Sequence, residues 1–146
     1  MVLKVVDISS ADTLDLRGRV LRGGSDHGGF PDDDLAGTFH LGARDGDSIV
    51  GVATFVPRED GVWQLRGMAV EPARQGLGIG AAILDAAANR LRRAGAHLVW
   101  ANGRDTALGF YERAGWEVVG EGYVLPVERD RPGMPHHRVE LRLMDT

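Results

Sequence analysis

The sequence predicts a mixed α/β (α+β) fold, one mixed sheet with helices on its faces. Three observations carry that prediction. Short apolar or alternating runs recur along the chain, bounded by turn residues, as strands do. A longer segment, from Gly78 to about Ala94, instead sets Ile79, Ile83, Leu84, Ala87 and Leu91 on one helical stripe. Between the apolar run 65–70 and that helix lies Gln75-Gly76-Leu77-Gly78-Ile79-Gly80, a glycine-rich strand-to-helix connection.

In chain order, Leu3–Ile8 reads as a first strand. Ser9 or Ser10 is expected to cap a following helix, with Asp12 in its first turn and Leu14, Val20 and Leu21 on its buried side. Residues 23–34, which carry repeated glycine, Pro31 and three consecutive aspartates, read as a loop. A loop this long in a compact domain suits a segment that folds over a ligand. Residues 38–43 and 48–56 read as strands joined at Asp45-Gly46-Asp47, and residues 61–70 as a third strand of the meander. After the long helix, Gly95 stops the chain and residues 97–101 return as a strand. Residues 105–114 form a second helix ended by Gly115, residues 116–125 a strand, residues 126–135 a loop, and residues 136–144 a final alternating strand. The order is β-α-β-β-β-α-β-α-β-β.

The 146 residues suit one domain, and the 43% hydrophobic and 26% charged content is that of an ordinary soluble protein. No apolar run reaches the ~20 residues that span a bilayer, and residues 1–7 lack a secretory pattern, so a cytoplasmic protein without membrane contact is expected. There is no cysteine, hence no disulfide and no thiol nucleophile. A net charge of −4 argues against coating nucleic acid.

The glycines let the backbone approach a ligand closely, and a helix start presents unpaired N–H groups and a positive dipole end. That combination suits a pyrophosphate held by backbone alone. The P-loop reading lacks its lysine and hydroxyl. Parsed as Gly76-x-Gly78-x-x-Ala81, the run matches the dinucleotide fingerprint. However, residues 71–75 separate it from the strand, and Ala101-Asn102-Gly103 offers no acid for a ribose.

The run Val70-Glu71-Pro72-Ala73-Arg74-Gln75-Gly76-Leu77-Gly78-Ile79-Gly80 resembles the acetyl-CoA signature of the GNAT acetyltransferase superfamily, Gln/Arg-x-x-Gly-x-Gly/Ala. Ala107-Leu108-Gly109-Phe110-Tyr111-Glu112-Arg113-Ala114-Gly115-Trp116 resembles that family's second motif, and the element order is the family's order. The resemblance implies a GNAT fold, mostly antiparallel with helices on both faces, and acetyl-CoA as the acetyl donor. Arg17-Gly18-Arg19-Val20-Leu21-Arg22, Gly37-Thr38-Phe39-His40-Leu41-Gly42, Gln64-Leu65-Arg66-Gly67-Met68-Ala69 and Trp100-Ala101-Asn102-Gly103-Arg104 are similar to segments of the glyphosate N-acetyltransferase group. That narrower resemblance implies a small anionic amine as acceptor, with Arg22, Arg66 and Arg104 on its acid group and His136 as base.

Acyl transfer needs a neutral amine, a stabilised oxyanion and a protonated leaving thiolate. Met68, Ala69 and Val70 are expected to offer backbone N–H groups to the oxyanion, and with Trp100, Ala101 and Asn102 to flank the pantetheine arm. Tyr111 is expected to return a proton to sulfur. An ordinary phenol near ~10 and a thiol near ~8.5 make that transfer nearly balanced. Histidine titrates near neutrality, as a base for the amine must. His136 and His137 are neighbours in a strand, so they point to opposite faces and at most one lines a pocket. The same alternation argues against a metal site. Two alternatives stay open, an acetyltransferase of protein N-termini or lysines and a non-catalytic acyl-CoA sensor. Nothing in the sequence separates a monomer from a homodimer.

Overall fold

The computed structural model describes residues 2–22, 29–125 and 133–143. The strands are β1 (Leu3–Ile8), β2 (Phe39–Asp45), β3 (Ser48–Pro57), β4 (Val62–Val70), β5 (Leu98–Arg104), β6 (Glu117–Val124) and β7 (Pro135–Arg142). The helices are α1 (Leu14–Leu21), α2 (Ile79–Arg93) and α3 (Leu108–Arg113), with 3₁₀ turns at Ala11–Thr13, Pro31–Asp34, Pro72–Arg74 and Asp105–Ala107. The strands form one sheet in the order β1-β2-β3-β4-β5-β7-β6. Every neighbouring pair is antiparallel except β4 and β5, which run parallel because α2 carries the chain back between them.

Helices cover both faces. The stripe of α2 (Ile79, Ile83, Leu84, Ala87, Leu91) packs with Phe55, Leu65, Val99 and Val139, and Tyr111 of α3 joins the same core. On the other face Leu16 of α1 packs with Val52 and Ala69. The mixed α/β reading of the sequence is thus the observed fold.

The differences lie at element ends and around α1. Ser9, rather than Ser10, makes the capping bonds: its Oγ accepts from the Asp12 N–H at 3.2 Å, and its own N–H donates to Asp12 at 3.1 Å. The buried side of α1 is broader than expected. Leu16, Arg17 and Gly18 are buried, Val20 and Leu21 are partly covered and pack on the Leu16 cluster, and Leu14 is partly covered. The helix packs through a buried arginine, which apolar periodicity does not register. Residues 31–34, read as loop, form a 3₁₀ turn. The strand expected over residues 97–101 runs on to Arg104, because β7 keeps pairing with it through Arg104↔His136. Residues 23–28, part of the loop expected to fold over a ligand, and residues 126–132, part of the loop expected at 126–135, lie outside the described residues.

Candidate functional site

The parallel pair β4–β5 is joined over a short register only, Val62↔Leu98, Trp63↔Val99 and Gln64↔Trp100. Beyond Gln64 the strands part. On its other edge β4 bulges against β3, with Ala69 opposite Val52 but Arg66 opposite Thr54. Gly67 sits in the bulge at φ +64°, a conformation that a side chain disfavours. A Cβ there would meet Arg17 Nε at 2.5 Å and the Phe30 ring at 2.9 Å. The parting of the strands opens a cleft of about 550 Å³, walled by Arg66 and Met68 from β4 and by Trp100, Asn102 and Arg104 from β5.

The cleft brings together Arg22, Arg66 and Arg104, from three distant stretches of sequence. Arg22 caps the C-terminus of α1. Arg104 donates from Nη2 to the Leu21 carbonyl at 3.0 Å, tying the end of β5 to the end of α1, where a cation is electrostatically favoured. Arg66 stands on the central strand and lies over the Phe30 ring, 4.3 Å from its centroid. Arg22 and Arg17 approach the same ring at 5.4 Å and 4.7 Å.

Two charged cleft residues escaped the sequence reading, Asp32 and Arg58. The Asp32 carboxylate accepts from Arg58 and from Arg66, each at 2.7 Å. The hydrogen bond from Arg58, more than that from Arg66, holds the Asp32 carboxyl below the usual carboxylate range, against partial burial that pushes it up. No local pattern announces either residue: Asp32 reaches the cleft through the 3₁₀ turn and Arg58 through the β3–β4 hairpin.

Beneath the cleft runs a buried polar network. Arg17 is fully buried and grips Asp33 bidentately at 2.7 and 3.0 Å, and it also donates to Thr54 Oγ1. His40 completes the circuit, with Nδ1 2.7 Å from Thr54 Oγ1 and Nε2 3.2 Å from the Asp33 carbonyl. A carbonyl only accepts, so Nε2 carries the proton, and Nδ1 accepts from the threonine hydroxyl. The network fixes the 3₁₀ turn that presents Phe30 and Asp32 to the cleft.

His136 lines the cleft and is 1% exposed. Its Nδ1 lies 2.8 Å from the Met134 carbonyl, so Nδ1 carries the proton and Nε2 is the basic nitrogen of the neutral ring. Tyr123 pairs with His136 across β6–β7 and stacks on its ring, 6.2 Å between centroids at 15°. The Tyr123 hydroxyl donates to Asn102 Oδ1 at 2.5 Å. His137 points the other way, as strand alternation requires, and contacts Asp105 at 2.7 Å.

Tyr111 reaches the cleft from α3 through the gap between β4 and β5. Desolvation pushes its hydroxyl up to about 12, with Arg104 opposing slightly. It therefore stays protonated at neutral pH, yet is a weaker acid than the nearly balanced donor expected from sequence. Against an ordinary thiol near ~8.5, proton return is uphill in this environment.

Gln75, Gly76, Leu77, Gly78, Ile79 and Gly80 do not line the cleft. Residues 75–78 form an exposed turn beyond β4, and Ile79 and Gly80 begin α2 as buried residues. Gly78 caps α2 at φ +82°, with open space where a Cβ would stand. The turn and the cleft meet at Gly80, where a Cβ would stand 3.3 Å from Met68 Cε and 2.9 Å from Phe110. Ala69 is buried against α1 and Val70 packs on the main core, and neither lines the cleft. Among the described residues, no group of three or more His, Asp or Glu side chains is arranged to hold a metal ion. No described helix is long and apolar enough to cross a membrane.

An open helix N-terminus thus lies beside a gap in the sheet that leads to a cationic cleft, and known proteins share the fold that sets them there. The acetyltransferase (GNAT) family model matches residues 11–116. The uncharacterized N-acetyltransferase YitI of Bacillus subtilis (strain 168) is 29% identical over 153 aligned residues, which cover 99% of each chain. The ribosomal-protein-S18-alanine N-acetyltransferase of Escherichia coli superposes with a TM-score of 0.78 at 15% identity, over 99% of this chain and 96% of that one. An aminoglycoside 6'-N-acetyltransferase complexed with coenzyme A gives a TM-score of 0.73 at 16% identity, over 100% of this chain and 99% of that one. The two superpositions show the common fold, and the family match spans most of the chain. This protein belongs to the GNAT acetyltransferase family and is an acetyltransferase.

Proposed function

We propose that this enzyme transfers acetyl from acetyl-CoA directly to the amine of a small acceptor that carries a carboxylate or phosphonate. The observation that carries the acceptor class is the convergence of Arg22, Arg66 and Arg104 on one cleft, in a protein whose net charge is −4. Guanidinium groups bind such acids in a fork, with a strength and geometry that solvated surface arginines do not reach.

The donor's thioester supplies the activated acetyl group. The residues present suit its pyrophosphate: the turn at Gln75, Gly76, Leu77 and Gly78 is exposed, and α2 opens with unpaired N–H groups. The bulge at Gly67 turns the backbone of Met68 toward the gap beside Asn102, where N–H groups can meet an oxyanion. Arg22, Arg66 and Arg104 orient the acceptor's acid group. His136 Nε2 takes the amine proton, and the Nδ1 bond to Met134 holds the ring in the tautomer that can do so. Tyr111 gives its proton to the departing sulfur, since desolvation raises the proton affinity of a buried thiolate as it does that of the phenolate. With no cysteine in the chain, the acetyl group passes between substrates without a thioester to the enzyme.

Two substitutions separate these roles. Gly78→Val places a β-branched side chain at φ +82° in the open space of the turn. Acetyl-CoA affinity is expected to fall at least about tenfold in a calorimetric titration. Retained affinity at an intact fold would remove the pyrophosphate from this turn. His136→Ala is expected to lower kcat/KM at least about a hundredfold with acetyl-CoA affinity unchanged, the loss of a general base. A variant near wild-type activity would move the base elsewhere.

The reading itself is tested by CoA-thiol release across anionic, neutral and cationic small amines, with peptides included. Turnover concentrated on amino acids or aminophosphonates supports it. Turnover on peptide N-termini or cationic amines alone keeps the family and discards the acceptor.

A further inference from the structure

The cleft carries a negative charge that the recognition of an acid group does not require. Among the described residues, Asp32 is the one carboxylate lining a cleft that it shares with Arg22, Arg58, Arg66 and Arg104. It is clamped on every side. Pro31 restricts the backbone before it, and its carbonyl accepts from the Leu35 N–H at 3.1 Å and the Thr38 hydroxyl at 3.3 Å. The next residue, Asp33, is locked to buried Arg17. Arg58 in turn is braced by buried Gln64, whose Oε1 accepts from Nε at 2.9 Å and Nη2 at 2.6 Å. The carboxylate therefore stays in the cleft when an acceptor arrives.

We propose that Asp32 is a specificity-determining residue that restricts the acceptor's acid group to a single negative charge, favouring amino carboxylates over doubly ionised aminophosphonates. This rests on the acceptor reading above. An acid group bound to Arg66 shares that guanidinium with Asp32, whose oxygen already takes Nη1 at 2.7 Å. Two anions on one guanidinium repel at close range in a partly desolvated site, and a second charge on the acceptor meets that repulsion again. Geometry acts in the same direction. Asp32 takes Nη2 of Arg58 and Nη1 of Arg66, so the donors left to an acceptor satisfy the two oxygens of a carboxylate more fully than the three of a phosphonate.

The test is the ratio of kcat/KM for an amino carboxylate and the aminophosphonate of the same carbon skeleton, at a pH where the phosphonate is doubly ionised. Wild type is expected to favour the carboxylate. Asp32→Asn is expected to shift the ratio toward the phosphonate by about tenfold, the effect of one pairwise repulsion removed. Asp32→Ala should move it the same way, whereas Asp32→Glu, which keeps the charge, should leave it near wild type. Acetyl-CoA affinity, measured on each variant, reports that the fold is intact. A wild-type enzyme that turns over the pair with a ratio unmoved in both Asp32→Asn and Asp32→Ala overturns this inference alone. A wild-type enzyme that turns over neither member overturns the acceptor reading and this inference together.

Discussion

Truncation of Arg17 to alanine is expected to cost about 3–5 kcal/mol of folding stability, because it leaves the partner of a buried ion pair without a counter-charge. Arg17 is 0% exposed, and its guanidinium satisfies both oxygens of Asp33 and the hydroxyl of Thr54. Without it, Asp33 must stay charged in a low-dielectric pocket or take up a proton, and Thr54 and His40 lose the group that orders their hydrogen bonds. Phe30 also loses a cation from its face. For a domain of this size the loss corresponds to roughly 10–15 °C in Tm. Thermal unfolding of Arg17→Ala measures it. The double variant Arg17→Met/Asp33→Leu is expected to be more stable than Arg17→Ala, since it removes both charges together. Stability within about 1 kcal/mol of wild type for Arg17→Ala would mean that the pair contributes little beyond packing.

The second large effect is on catalysis. Arg104→Ala is expected to lower kcat/KM for an acidic acceptor by about thirtyfold or more, the equivalent of one charge-assisted hydrogen bond of about 2 kcal/mol. The KM for acetyl-CoA should stay nearly constant, because the glycine turn that suits the donor lies outside the cleft that Arg104 lines. Arg104→Lys should recover only part of the loss, since an ammonium lacks the planar fork. Arg104 also holds the Leu21 carbonyl, so a structural contribution is present as well. A structural role alone would raise both KM values together and would depress neutral amines as much as acidic ones.

Much of this architecture is legible in the sequence because it is written in local patterns. The α2 stripe repeats at helical spacing, the glycines mark its start, and the meander announces itself through alternation and the Asp45-Gly46-Asp47 turn. Arg66 could be placed on the central strand for the same reason, and β4 is indeed the middle strand of the sheet. What could not be read is polar burial. A hydropathy pattern has no way to mark Arg17 as a core residue, so it shows only the apolar part of the inward side of α1. Asp32 and Asp33 stand in one run of three aspartates that reads only as loop, yet they face different partners, one in the cleft and one beneath it. The opposition of Arg104 and His136 depends on the register of β5 against β7, which pairs segments more than thirty residues apart. The depth of Tyr111, and with it the rise of its pKa, follows from how α3 settles against the sheet rather than from its own motif.

The central claim is that the arginines of the cleft read an acid group on a small amine. The most direct measurement compares kcat/KM, by CoA-thiol release, for an amino acid and for its amide, which keeps the size and removes the charge. The arginine cleft predicts a preference for the acid of about a thousandfold, the sum of roughly two charge-assisted hydrogen bonds of about 2 kcal/mol each. Equal turnover of the two, or a preference for the amide, would contradict it and leave the cleft arginines as scaffolding.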